Sequence, residues 1–240
     1  MKESTKAPHG LNKEKTQGKT LRLMEEFQEL QSLLYAEKKH ALLVVLQGMD
    51  SSGKDGTIRK VFGVIDPGGI NVNTFKVPSK LEFSHDFLWR AHAVCPAKGM
   101  IQVFNRSHYE DLLWPTVHRT IDRKLIGKRY DHINNFEEML QDEGTRVVKF
   151  FLNVSREEQA RRFDDRVVDP KKRWKYNKND LAESKLWDRY MEVYERILDR
   201  STVKWKVVPA DDKWYRNYVV TKRIVEELRS LKMKYPVLED

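Results

Sequence analysis

The sequence predicts an α/β fold built on a doubly wound, parallel, five-stranded sheet, with a phosphate-binding loop at the end of its first strand. Two observations carry this. Apolar runs that read as buried strands alternate with helical stretches along all 240 residues, the order that a parallel sheet with helices on both faces requires. One run, Ala41 to Leu46, leads directly into Gly48-Met49-Asp50-Ser51-Ser52-Gly53-Lys54-Asp55, a G-x-x-x-x-G-K pattern between strand and helix. The length suits one α/β domain with a sizeable core.

Residues 1–20 are basic and nearly devoid of apolar side chains, so they are expected as a flexible arm, with 21–240 as a single domain. Leu23, Phe27, Leu30 and Leu34 recur at helical spacing, which predicts a helix from Leu21 to Lys39. The first strand, the loop and a helix at 57–62 follow. Asp66-Pro67-Gly68-Gly69 is a turn, and 70–77 is a second strand. Ser84 reads as the N-cap of a helix to Ala93, with Phe87, Leu88 and Ala91 on one face. The third strand, 100–104, ends in the polar cluster from Asn105 to Asp111. A helix begins there and runs toward Val117, with Pro115 as a kink or stop. Residues 136–140 belong to a further helix, and 147–154 form the fourth strand. Ser155 with Glu158 makes a capping box for a helix from Arg156. After a stretch dense in charge come an amphipathic helix from Leu181 to about Leu198, the last strand at 205–209 and a closing helix at 214–231.

Such a loop binds phosphate because its glycines let successive backbone N–H groups turn toward one anion, and the following helix adds its positive end. Gly48, Ser51, Ser52 and Gly53 are therefore assigned to phosphate or nucleotide, with Lys54 reaching phosphoryl oxygens. Asp55 stands where a Ser or Thr normally meets magnesium. The third strand, which in many such enzymes ends in a metal-holding aspartate, ends here in Asn105. Asp50, inside the loop, is thus the first choice for a metal contact and Asn105 a weaker second, with phosphates and waters completing the octahedron.

Strand ends face the ligand crevice in open α/β sheets. That sets Arg106 beside Lys54 as a planar clamp on phosphoryl oxygens, unless it pairs with Glu110 or Asp111. Glu110 reads equally as a contact to a nucleobase or ribose and as a carboxylate favouring the helix dipole. Arg162 and Arg166 are four residues apart and could grip one anion together. Their stretch, about 161–180, is read as a helical lid that keeps water from a phosphoryl site. Lys76, Lys80, Arg90 and Arg119 are read as a basic track for a long anion. His85, His92, His108 and His118 are scattered, without metal-ligand company.

A net charge of +9 favours a polyanionic partner. Cys95 is the only cysteine, which excludes an intrachain disulfide and points to a reducing cytoplasm. No run approaches the ~18 apolar residues of a membrane span, and the N-terminus lacks the apolar centre of a signal peptide. No membrane association is expected.

Five segments in order resemble the polyphosphate kinase 2 family: GMDSSGKDGTIRKVF (48–62), FKVPS (75–79), SHDFLWRAH (84–92), FNRSHYEDLL (104–113) and RRFDDRVVDPKKRWKYNKND (161–180). The likeness runs from about residue 22 to 232. It implies a P-loop kinase core like that of thymidylate kinases. It further implies reversible transfer between inorganic polyphosphate and a nucleotide, with Mg²⁺ (Mn²⁺ as an alternative), in a homodimer or homotetramer. By position the family's essential loop residues fall on Asp50 and Lys54, its strand-end arginine on Arg106 and its lid arginine on Arg166. Its polyphosphate-channel residues fall on Lys76, Arg90 and Arg119.

Two departures stand out. Many members have Asp-Arg-Ser-Trp-Tyr-Asn where this chain has Asn105-Arg106-Ser107-His108-Tyr109-Glu110. Asn105 removes a metal carboxylate. Glu110 resembles the family's class III, whose members phosphorylate nucleoside monophosphates as well as diphosphates, so AMP and ADP are the expected acceptors, with guanine nucleotides as a further option. An ordinary ATP-dependent nucleotide or small-molecule kinase would explain the loop and lid, but neither the basic excess nor the five motifs together. A nucleotide-regulated nucleic-acid-binding protein would use the basic face with Trp174 and Trp214. Against it, the tryptophans fall at helix-core spacing as often as beside arginines.

Overall fold

The structure is a computed structural model and describes residues 3–175 and 182–237. Its strands are β1 (Ala41–Gln47), β2 (Ile70–Thr74), β3 (Ile101–Asn105), β4 (Thr145–Asn153) and β5 (Trp205–Pro209), all parallel, in the order β2-β3-β1-β4-β5. β1 is buried at every position because a strand flanks it on each side and helices cover both faces. Successive side chains alternate between two cores. Leu42, Val44 and Leu46 pack with Phe27, Leu112, Ile197 and Ile224, whereas Leu43 and Val45 pack with Phe104, Phe136 and Val147. The sheet is therefore doubly wound, as expected. The chain steps from β1 out to β2, returns to β3 beside β1, and then crosses to β4. That reversal opens a crevice beyond the carboxyl ends of β1 and β3, where Leu46 lies level with Asn105.

The first helix starts earlier than expected. α1 spans Lys13–Glu37, capped by Asn12 through the Lys15 amide at 2.8 Å, and so takes in part of the expected arm. Its buried stripe is Thr16, Thr20, Phe27, Gln31 and Leu34. The threonines hid it from a hydrophobic pattern; their hydroxyls donate to Asn12 O and Thr16 O one turn back, which lets them lie against the protein. Upstream, Thr5 Oγ1 donates to Asp211 Oδ2 (2.8 Å) and Asn153 Nδ2 donates to Glu3 O (3.0 Å), so residues 3–7 lie across the carboxyl ends of β4 and β5.

Where one helix was expected over 84–93 there are two short ones, α3 (Lys80–Phe83) and α4 (Trp89–His92), numbered after α2 (Lys54–Thr57). The reason is a capping box one step upstream: Ser79 Oγ accepts from the Glu82 amide at 3.2 Å, and the Glu82 carboxylate accepts from the Ser79 amide at 2.6 Å. Ser84 then closes α3 instead of opening a helix.

α5 (Glu110–His118) carries Pro115 in its interior without stopping there. Pro115 cannot donate to Asp111 O, and Arg129 of α6 (Arg123–Asp142) supplies that hydrogen bond in its place. α7 (Arg156–Val168) is capped by Ser155 as expected, but Glu158 does not complete the box; its carboxylate takes Arg161 and Arg162. Of the segment expected as a lid, α7 and a 3₁₀ turn at Arg173–Lys175 are seen. Residues 176–180, and the helix start expected at Leu181, lie outside the described residues. α8 (Trp187–Arg200) and α9 (Lys213–Ser230) complete the layers, with α9 packed on α1. Among the described residues no helix is long and apolar enough to cross a membrane.

Candidate active site

The loop after β1 is shaped as its glycines predict. Gly48 and Gly53 have φ of +146° and +104°, and a methyl on Gly48 would lie 2.7 Å from Leu152 O of β4. Lys54 is buried, with its ammonium donating to Gly48 O (2.8 Å) and Met49 O (3.1 Å), so it bends back over the loop it follows. Burial, and then the charge of Arg106, pull Lys54 down to about 8 from 10.5. The buried hydroxyl oxygens of Ser51 and Ser52 have no hydrogen-bond partner among the described residues. A polar lining with unused donors is what a phosphate would occupy.

Arg106 stands at the end of β3 with φ +60°, and its amide donates to Leu46 O at 3.0 Å, which aims the side chain into the crevice. Its guanidinium bonds Asp50 Oδ1 and Glu110 Oε2, the latter at 3.2 Å. Glu110, and then Asp50, raise its already high pKa further. Both alternatives read from spacing therefore meet here. Arg106 pairs with Glu110, and it also faces the loop.

Asn105 turns its amide nitrogen to Asp55 Oδ1, 3.0 Å away. The usual hydroxyl on the loop and carboxylate on the strand are thus exchanged for a carboxylate on the loop and an amide on the strand. A divalent metal would fit this lining: Asp50 and Asp55 could offer oxygens, Glu110 Oε1 is buried without a partner among the described residues, and bound phosphates and waters would complete a six-coordinate shell. Among the described residues no three His, Cys, Asp or Glu side chains could hold a metal by themselves, so such an ion would need the phosphates as ligands.

The two arginines expected in a lid do different things. Arg162 is buried, and all five of its N–H bonds are used within the protein: Nε to Glu158, Nη1 to Ser51 O and Ser52 O (both 2.9 Å), and Nη2 to Ala210 O (2.7 Å) and Asp211 O (3.1 Å). This corrects the expectation that it grips an anion beside Arg166, because it has no donor left; it ties the loop to the end of β5. Gln159, one turn earlier and unremarked in the sequence, donates to Asp50 O at 2.9 Å. Arg166 lies half-buried with its guanidinium over the Phe163 ring, 5.2 Å from the centroid.

The expected basic track also divides. Lys76 and Lys80 are exposed. Arg90 is turned inward instead, donating to Lys76 O and to Asp111 Oδ2 at 2.6 Å against the Phe75 ring, so it braces the wall. Arg119 opens onto a cavity of about 670 Å³ that it shares with Arg123, Arg189, Arg196 and Arg200. His118 accepts or donates to Glu183 at 3.1 Å, and His108 meets Glu137 at 3.3 Å inside the core.

The family model for Polyphosphate kinase 2 (PPK2) matches residues 10–236. The chain is 48% identical over 217 residues to the AMP/ADP-polyphosphate phosphotransferase of Meiothermus ruber, covering 89% of this chain and 81% of that one. It is 44% identical over 228 residues to the ADP-polyphosphate phosphotransferase of Rhodopseudomonas palustris, covering 89% and 79%. Among solved structures, that of Polyphosphate Kinase 2 from Arthrobacter aurescens TC1 superposes with a TM-score of 0.94 at 39% identity, covering 99% of this chain and 86% of that one.

Proposed function

Since the chain belongs to the polyphosphate kinase 2 family, we propose that it transfers the terminal phosphoryl group of inorganic polyphosphate to ADP and to AMP, reversibly. The observation that carries this reading is the convergence of Lys54 and Arg106 on a loop whose Ser51 and Ser52 hydroxyls are buried and, among the described residues, unpartnered. The relative named for both AMP and ADP supports the two acceptors. Mg²⁺, with Mn²⁺ as an alternative, is the metal we assign, held by Asp50 and Asp55 with Asn105 bonded to the latter. When bound it would neutralise charge on the phosphate oxygens.

The acceptor phosphate oxygen is already an anion, so the protein needs no strong general base; it has to position and neutralise. Lys54 meets the transferring phosphoryl group, and Arg106, oriented by Asp50 and Glu110, spans donor and acceptor oxygens. Arg166, near the end of α7, is the arginine we assign to the lid. Lys76 and Arg119 carry the rest of the polyphosphate chain. We assign the protein to the cytoplasm as a homodimer or homotetramer; the Cys95 thiol, which burial pushes up to about 11, stays reduced there.

Lys54 gives the site a pH dependence. Below about 8 the free protein carries the ammonium, and above it the cation is lost. The ratio kcat/KM reports ionisations of the free enzyme, so it should fall as pH rises through about 8. In the same window, from about 8 to 10.5, ligand-free stability should rise slightly, because the unfolded chain still binds the proton the folded one has shed. A profile that stays level well above this range contradicts the assignment of Lys54. The acceptor range is tested by supplying polyphosphate and Mg²⁺ with AMP, ADP, GMP or GDP and separating products. ADP from AMP and ATP from ADP are expected; turnover with an ATP donor alone would favour an ordinary nucleotide kinase.

A further inference from the structure

α9 follows β5 and brings Arg216 against Gly53 of the phosphate loop. Arg216 is only 3% exposed. Its Nε and Nη2 donate to the Asn217 amide oxygen at 3.2 and 3.0 Å, and among the described residues no carboxylate lies within ion-pairing distance. Its Nη1 rests on Gly53: a methyl there would come within 2.0 Å of that nitrogen. A methyl on Gly56, one turn on, would lie 3.5 Å from Nη2. A side chain at Gly53 would therefore displace this guanidinium from the flank of the loop.

The neighbour makes the arrangement harder to explain as packing. Arg162 Nη1 lies 3.5 Å from the same point on Gly53, so two cations share one flank of the loop. Arg162 is satisfied by carbonyls and Glu158, whereas Arg216 has only an amide. Burial, and then the charge of Arg162, pull Arg216 down to about 10 from 12.5. A guanidinium taken out of water without a counter-charge is unfavourable in the free protein. The Ser51 and Ser52 hydroxyls, unpartnered among the described residues, sit on the same loop.

We propose that Arg216 is an anion contact of the loop, bonding a phosphate group of the bound ligand at its Gly53–Gly56 side. This rests on the reading of the loop as a phosphate cradle. It adds a contact that neither spacing nor motif assigned. The phosphate could belong to the polyphosphate chain or to the nucleotide, and the test separates them.

The experiment compares wild type with Arg216→Met and Arg216→Lys, measuring ligand-free melting temperature and the Kd for tripolyphosphate and for ADP by calorimetry. Arg216→Met should fold and melt no lower than wild type, because the uncompensated charge is gone, yet bind one of the two ligands at least tenfold more weakly. The weakened ligand identifies whose phosphate is held. Arg216→Lys should recover part of that loss. Unchanged Kd values for both ligands would overturn the proposal. So would an Arg216→Met protein that melts lower with unchanged Kd, or that does not fold, since that is how a purely structural arginine behaves. Wild type that binds tripolyphosphate through Arg216 without turnover would remove the transferase reading and leave this inference standing. Normal turnover with unaltered Arg216→Met binding would do the reverse.

Discussion

Lys54→Ala is expected to lower kcat for phosphoryl transfer by about 10³-fold, the scale of losing one preorganised charge at a developing anion. The ammonium is buried and fixed by Gly48 O and Met49 O, so its position is set before substrate arrives. The fold should survive. The lost interactions are two hydrogen bonds, and relief of the desolvation that pulls Lys54 down to about 8 offsets part of them. Asp50→Asn should reach a similar loss by another route, because Arg106 would keep Glu110 but lose its anion on the loop. Normal turnover in either variant, measured by single-turnover kinetics beside an unchanged circular dichroism spectrum, contradicts the mechanism.

The largest expected effect on stability lies behind the site. Glu137 and Lys149 are fully buried and bonded to one another; Lys149 also donates to Tyr109 Oη at 2.7 Å, and His108 Nε2 meets the second Glu137 oxygen at 3.3 Å. Burial alone would raise the Glu137 carboxyl, but the Lys149 ammonium and the His108 hydrogen bond overcome it and hold it below its ordinary value. The Glu137 carboxylate is thus held as an anion, while burial pulls the Lys149 ammonium below its ordinary value against the attraction of Glu137; the direct contact between them is the reason we read both as charged. Removing one partner leaves the other charge buried alone, so Lys149→Met should cost about 3–5 kcal/mol of unfolding free energy. A double replacement, Glu137→Leu with Lys149→Met, should recover most of it. Urea denaturation of the two variants checks this. A single variant as stable as wild type would mean that the pair is not ionised. The network matters to function because His108 and Tyr109 lie two and three residues after Arg106. Ser107 adds to the anchoring, with its Oγ accepting from Gln47 Nε2 and from the Tyr109 amide, each at 3.2 Å.

Most of the architecture was legible because buried parallel strands are written as apolar runs, and all five were found within a few residues of their ends. The loop was legible for the same kind of reason, since only glycine tolerates the backbone angles at Gly48 and Gly53. What stayed hidden was settled by hydrogen-bond partners that residue types do not announce. Thr16 and Thr20 extend α1 because their hydroxyls bond back to the helix. Pro115 is tolerated because Arg129 comes from another helix to its orphaned carbonyl.

The site residues divide along the same line. Position along the chain was enough to bring Asp50, Lys54, Arg106 and Glu110 together, since strand ends converge in this topology. Spacing could not tell a ligand-facing arginine from a bracing one. Arg162 and Arg90 spend their donors inside the protein, whereas Arg216, with no motif around it, has few partners for its donors among the described residues. Asp55 and Asn105 looked like two separate oddities, and their 3.0 Å contact makes them one exchange of roles.

The central claim is that polyphosphate itself is the phosphoryl donor. Incubating the protein with ³²P-labelled polyphosphate, unlabelled ADP and Mg²⁺, with no ATP added, tests it most directly. The account predicts label in the terminal phosphate of newly formed ATP, appearing about 10³-fold more slowly with Lys54→Ala. Unlabelled ADP left unchanged while the wild-type protein remains folded would contradict it.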